Sequence, residues 1–234
     1  MPKSTRQPRK RRRELETIWT RPDRGARGPQ PEHTRAEIAS AAIALADSDG
    51  LSAASMRAVA SALGTAAGSL YRYLSSRDDL LDLMVDAAVA ELRLDREPAG
   101  NWLDDLVALA NDQLVLYRRH PWLLEASLRG GTSGPHTMDY FEYCLRVMAP
   151  LTCGTATKLE AIAMITGVVS LFARNASAAQ EQAAAPSRLF STATPQAHPH
   201  LIAALTQPTP PPPQSNLFER TIRSVLRGLL ADNS

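Results

Sequence analysis

Apolar residues recur at helical spacing along most of the chain, and no run alternates over the length of a strand. Ile38, Ala41, Ala42, Leu45 and Ala46 make the first clear stripe. Thr34 and Glu37 stand before it in the Thr-x-x-Glu order of a capping box, so a helix is predicted from Thr34. Asp47-Ser48-Asp49-Gly50 ends it. Ser55 is a good N-cap for a second, short helix with Met56, Val59, Ala60 and Leu63 inward, closed by Gly64. A third short helix is predicted over 66–73, with Leu70 inward. Arg77 opens a fourth, whose first turn holds Asp78 and Asp79, where negative charge suits the helix dipole. Its face is Leu80, Leu81, Met84, Val85, Ala88 and Leu92.

Behind these the pattern stays helical: 102–120, 122–128, 135–148, 155–175, 199–205 and 216–230. The reading is all-α, a three-helix N-terminal domain followed by a larger helical domain. We divide the chain into a leader, 1–32, a first domain, 33–78, and a body, 79–234. The leader holds five prolines and no helical stripe, and reads as disordered or extended apart from a short helical piece near 11–19. Trp19 within it either docks on the body or is idle. Residues 176–199 are rich in Ala, Ser and Pro and carry little pattern. Pro208 and Pro210–Pro213 form a stiff linker of polyproline type.

Residues 55–73 carry the chemistry. Two short helices meet through a Leu63-Gly64 turn, Ala60 allows a close crossing, and Leu70 fastens the second helix to the first. The second helix keeps a polar outer side of Ser69, Tyr71, Arg72 and Tyr73. This is the arrangement of a helix-turn-helix that enters a major groove N-terminus first.

Residues 34–81 resemble the DNA-binding domain of the Tet repressor family. The resemblance lies in Met56-Arg-Ala-Val-Ala, Leu63-Gly, Ser69-Leu-Tyr-Arg-Tyr-Leu and Arg77-Asp-Asp-Leu-Leu, and it is sharpest to the subclass of the tetracycline repressor. It implies that Arg57 reads a base or phosphate, that Ser55 meets phosphate as well as capping, and that Gly68, Ser69, Arg72 and Tyr73 lie at base edges. It implies that Tyr71 clamps phosphate, and that Arg77 meets phosphate from a position where the family has lysine. Small residues at 66–68 leave Arg57 and Arg72 as the main specifying side chains, arginine on guanine being the commonest such contact. The resemblance further implies a body that dimerises and binds a small effector. Stripes at 155–175 and 216–230 suit a four-helix interface across a two-fold axis, with Leu159, Ile162, Val169, Phe172, Ile222 and Leu226 as its expected members; burial of both stripes within one chain is the alternative. Trp102, Tyr117, Trp122, His136, Tyr140 and Met164 are the expected pocket residues.

Charge sharpens the picture. Residues 1–30 hold ten basic and three acidic residues, a balance of +7, and 31–234 hold sixteen and twenty-one, a balance of −5. The run Arg9-Lys10-Arg11-Arg12-Arg13 is either an arm for the DNA backbone or minor groove, or a solubilising tail. Two cysteines make no disulfide framework and no four-ligand metal site, which favours a reduced, cytoplasmic setting. The longest uncharged apolar stretch, 161–173, has thirteen residues against the roughly 20 needed to span a bilayer, so no membrane partner is expected. No nucleophile, acid–base pair or HExxH spacing is readable, so neither an enzyme nor a cofactor is expected. The function expected is a DNA-binding regulator, most simply a repressor released from its operator by a small apolar or aromatic effector. An activator, or a DNA binder without effector control, are the alternatives.

Overall fold

The computed structural model describes residues 17–20, 32–127, 129, 131, 133–182, 190–206 and 216–230, and all regular structure among them is helical. The first helix, α1, spans Arg35–Asp49 and its capping box is formed. The Glu37 carboxylate accepts the Thr34 N–H at 2.7 Å, and Thr34 Oγ1 accepts the Glu37 N–H at 3.1 Å. These bonds from Thr34 hold the Glu37 acid below its usual range. Gly50, at φ +81°, turns the chain into a 3-10 turn, Leu51–Ala53. Helix α2 is Met56–Ala62, and Ser55 Oγ accepts the Ala58 N–H at 3.2 Å as its cap. Gly64, at φ +70°, then makes the corner into α3, Ala67–Leu70. The sequence predicted a longer third helix, but beyond Leu70 the chain runs on as a turn, with Tyr73 N–H on Leu70 O at 2.9 Å. Helix α4 is Arg77–Val89, and its cap is Ser76, whose Oγ accepts the Asp79 N–H at 3.1 Å.

Ile38, Ala42, Val59, Ala60, Leu70, Leu74, Leu80 and Met84 are buried together, and α1 packs along α4. Burial of such a stripe, rather than propensity, holds helices as short as α3. Ile18 is completely buried and Trp19 packs partly against the same core, so the leader docks at this point. Arg9, Lys10, Arg11, Arg12 and Arg13 lie outside the described residues.

The body comprises α5, Trp102–Arg119; α6, Leu123–Ser127; α7, Pro135–Val147; α8, Thr155–Gln182; α9, Pro199–Thr206; and α10, Leu217–Leu230. Helices α5, α8 and α10 pack on one another. Their inner sides bury Leu106, Leu109, Ala110, Ile162, Ile165, Val169, Phe218, Ile222 and Leu226, with Phe172 edge-on to Phe218 at 5.3 Å between ring centroids. Arg223 pairs with Asp104 at 2.7 Å, and Asn111 Nδ2 donates to Glu219 at 3.3 Å along the rim. This packing corrects part of the expected dimer seam. Ile162, Val169, Ile222 and Leu226 lie beneath the surface of the protomer, because α8 and α10 bury these stripes against each other and α5. Helix α8 also runs further than its sequence pattern. Thr155–Arg174 is long and apolar enough, by length and composition, to cross a membrane, because the helix continues through charged residues that the count of thirteen stopped at. What α8 turns outward is apolar too, at Leu159, Met164 and Leu171.

Helix α4 joins the two parts. Asp86 on α4, only 3% exposed, accepts from Thr137 N–H at 2.9 Å and Thr137 Oγ1 at 3.0 Å, and faces His136 N at 3.4 Å. No side chain of its own caps α7, so this carboxylate serves the unsatisfied N–H groups of its first turn.

Candidate nucleic-acid interface and buried polar cluster

The helix-turn-helix exposes most of the polar residues that the sequence singled out. Arg57, at the start of α2, and Arg72, just beyond α3, are exposed. Tyr71 is 57% exposed, a large exposure for a tyrosine on a folded surface. Gly68 is exposed, and a Cβ there would meet nothing within 4 Å, so packing does not require glycine at this position. Ser69 is half-buried beside it. Cationic guanidinium groups and an amphipathic phenol with a free approach are what phosphates and base edges accept.

Three of the residues have work inside the protein as well. Ser55 caps α2, as above. Tyr73 is half-buried and its hydroxyl accepts the His33 N–H at 3.3 Å, which ties the chain before α1 to the turn after α3. Arg77 is exposed, yet one of its terminal nitrogens donates to the Leu51 carbonyl at 3.1 Å and braces the 3-10 turn against α4.

The six pocket residues expected from sequence do not converge. Tyr117 on α5 and Tyr140 on α7 are both buried and close enough to interact electrostatically. Trp122 is buried elsewhere, with its indole N–H on Asp47 at 2.7 Å. Met164 lies exposed on the outer side of α8, and His136 is exposed near Asp139 at 3.8 Å. Trp102 is half-buried at the start of α5.

Gln113, which sequence reading passed over, and Thr166 complete the cluster around the tyrosines. Gln113, buried on α5, donates its amide to Thr166 Oγ1 of α8 at 3.3 Å, while its carbonyl oxygen has no hydrogen-bond partner. The Tyr140 hydroxyl makes no well-formed hydrogen bond either, although the Thr166 hydroxyl and the Cys144 thiol lie beside it. The Tyr117 hydroxyl and Ser127 Oγ are 3.1 Å apart. Burial pushes both tyrosine hydroxyls up, Tyr140 strongly, so both are neutral, and it pushes the Cys144 thiol up to about 12. The signal for Gln113 was present in the sequence, a lone amide four residues from Leu109 and from Tyr117 on an apolar stripe. Buried polar groups left unpaired cost about 1–3 kcal/mol each, so the Gln113 carbonyl and the Tyr140 hydroxyl are held in this interior at a cost. Among the described residues no group of three or more His, Cys, Asp or Glu is arranged to hold a metal ion.

Comparison with known proteins covers both parts. The profile described as bacterial regulatory proteins, tetR family, matches residues 38–84, and that of the tetracyclin repressor-like C-terminal domain matches 94–232. The HTH-type transcriptional repressor DrrR1 of Streptomyces coeruleorubidus is 41% identical over 167 residues, 70% of this chain and 61% of that one. An HTH-type transcriptional regulator of Saccharopolyspora erythraea is 34% identical over 152 residues, 65% of this chain and 64% of that one. The match therefore spans less than two thirds of the length of either relative. Among solved structures, ActR of Streptomyces coelicolor in complex with actinorhodin superposes with a TM-score of 0.70 at 21% identity, over 87% of this chain and 98% of that one. Apo ActR gives 0.69 at 22%, with the same coverage. At that identity the likeness is one of fold.

Proposed function

The chain belongs to the tetR family of bacterial regulatory proteins, and from that premise we propose that it is a sequence-specific DNA-binding repressor, acting as a homodimer in the cytoplasm and released by a small apolar or aromatic effector. The observation that carries the reading is the pair α2 and α3, which presents Arg57, Tyr71 and Arg72 to solvent while Val59, Ala60 and Leu70 hold it to the core. Two such units, about one duplex turn apart, read a near-palindromic site. The exposed apolar residues of α8, Met164 and Leu171 on one side and Leu159 further round the helix, support association with a second copy, since exposed apolar patches mark association surfaces. The cluster of Gln113, Tyr117, Tyr140 and Thr166 supports an uncharged, hydrogen-bonding effector held among apolar walls. ActR, its structural neighbour, is known in complex with actinorhodin and with (S)-DNPA.

The test is selection of duplexes from a random pool by the full-length protein, followed by gel shifts at physiological salt. A near-palindromic consensus is expected. A protein that bound selected and scrambled duplexes alike would sink the reading.

A further inference from the structure

The corner between α5 and α6 grips the far end of α1. His120, 3% exposed, closes α5 and places Nδ1 2.7 Å from Asp47 Oδ1. Trp122, two residues on, donates its indole N–H to the same oxygen at 2.7 Å. On its other side, His120 Nε2 lies 3.0 Å from Glu91 Oε1, just beyond α4, and Arg119 donates to Glu91 Oε2 at 2.6 Å. Asp47 belongs to the part that reads DNA, and His120 and Trp122 to the body. A single carboxylate oxygen thus receives two groups from one corner of the chain.

We propose that Asp47 is a positioning residue, which sets the angle at which the helix-turn-helix stands on the body and through which a change in the polar cluster reaches the recognition helix. The proposal rests on the homodimeric DNA-binding reading above. Gln113 and Tyr117 fall at i and i+4 of α5, and His120, the residue that caps its end, follows at i+7, so the three lie along one side of it. The bond between Tyr117 and Ser127 ties the same turn to α6. A guest that displaced Gln113 or Tyr117 would move the last turn of α5 with it. A shift of about 1 Å takes a 2.7 Å bond beyond hydrogen-bonding range, so the joint is made or broken rather than stretched. Both bonds end on one oxygen and come from one corner, so they are lost together. Helix α1 is then released from the body at this end, and the spacing of two recognition helices on a duplex, fixed at about one turn, changes with it.

The experiment uses the full-length protein and the duplex that the wild type selects. Asp47→Leu, which keeps the branching of the side chain without an acceptor, should bind that duplex at least about tenfold more weakly, with affinity for scrambled duplex unchanged. Asp47→Asn keeps an oxygen for both donors and should stay within about threefold of wild type. A spin label at Ser61→Cys, exposed on α2, should report a narrow intermolecular distance in the wild type and in Asp47→Asn, and a broad one in Asp47→Leu. Trp122→Phe and His120→Asn serve if Asp47→Leu does not fold, and should broaden the same distance. Operator affinity in Asp47→Leu or in these two within about twofold of wild type, or distances as narrow as the wild type's, overturns the proposal. A wild type that selects no duplex, or shows no intermolecular distance, fails the homodimeric repressor instead.

Discussion

Gly134 and Asp86 should behave as one unit, and a double-mutant cycle reads it. A Cβ at Gly134 would lie 2.5–2.6 Å from both oxygens of the Asp86 carboxylate, where no real Cβ sits. Gly134 has φ −89°, so space rather than backbone conformation demands glycine there. Gly134→Ala forces a carboxylate that is anchored on Thr137 to move, an overpacking cost of about 1–3 kcal/mol. Asp86→Ala leaves the first turn of α7 without its acceptor. A lost cap costs about 0.5–2 kcal/mol, and the charge-assisted bond to the Thr137 hydroxyl raises the total to about 2–3 kcal/mol. With the carboxylate gone, the methyl of Ala at 134 has room. The double variant should therefore be no less stable than Asp86→Ala, about 2 kcal/mol better than the sum of the singles. Urea denaturation at one fixed protein concentration measures it, since association adds to apparent stability. In thermal scans each single change should lower Tm by roughly 4–8 °C for a chain of this size. Costs that add to within about 0.5 kcal/mol would refute the account of both residues.

At the DNA, Arg72→Ala and Arg57→Ala should relax base choice by about 1–3 kcal/mol where each makes a bidentate base contact, whereas Tyr71→Phe should weaken selected and scrambled duplexes alike; competition gel shifts separate the two outcomes. Leu171→Glu, on the exposed side of α8, should give a helical 25.4 kDa species in sedimentation, while Leu226→Glu puts a carboxylate where exposure is 0% and should cost helicity itself. With its thiol pushed up to about 12, Cys144 should hold a thiolate fraction of about 10⁻⁴ at pH 8, and mass spectrometry after iodoacetamide should find it unmodified until urea is added.

Local signals were legible in the sequence wherever their partners lie within a few residues. The Thr34–Glu37 box, the Ser55 cap and the Gly50 and Gly64 turns all form as their spacing implies. The starts of α1, α4, α5, α7 and α8 follow from the same signals, and their ends drift where no glycine or proline punctuates, as at the far end of α8. Apolar stripes told that α8 and α10 bury a face, but not against what. Periodicity has no means of separating an intramolecular partner from a second copy, which is why Ile162, Val169, Ile222 and Leu226 were expected at a dimer seam. The pocket candidates were drawn on a similarly local signal. Size alone marked Trp122 and Met164 for a pocket, whereas an amide on an apolar stripe, Gln113, was the better sign of a buried polar site.

Asp47 and Asp86 show what kind of residue a sequence hides. Asp47 reads as helix-stop punctuation and Asp86 as one more polar position on α4, yet each is a tertiary acceptor for groups tens of residues away. Each also sits where the DNA-reading part meets the body, Asp47 under the α5–α6 corner and Asp86 at the start of α7. An apolar contact at those places would hold the two parts together but would slide, because dispersion and hydrophobic burial are not directional. A carboxylate with two or three fixed donors is directional, so it sets an angle rather than an adhesion. The homodimer proposed above, which would hold two recognition helices at a set spacing and let go of it on a signal, needs the directional kind of joint. The two differ in exposure, and that separates their roles. Asp86 is sealed, so its bonds persist and make α4 and α7 one piece. The Asp47 side chain keeps about a third of its surface open, so water can take over its oxygen when the corner withdraws, and the cost of letting go is small.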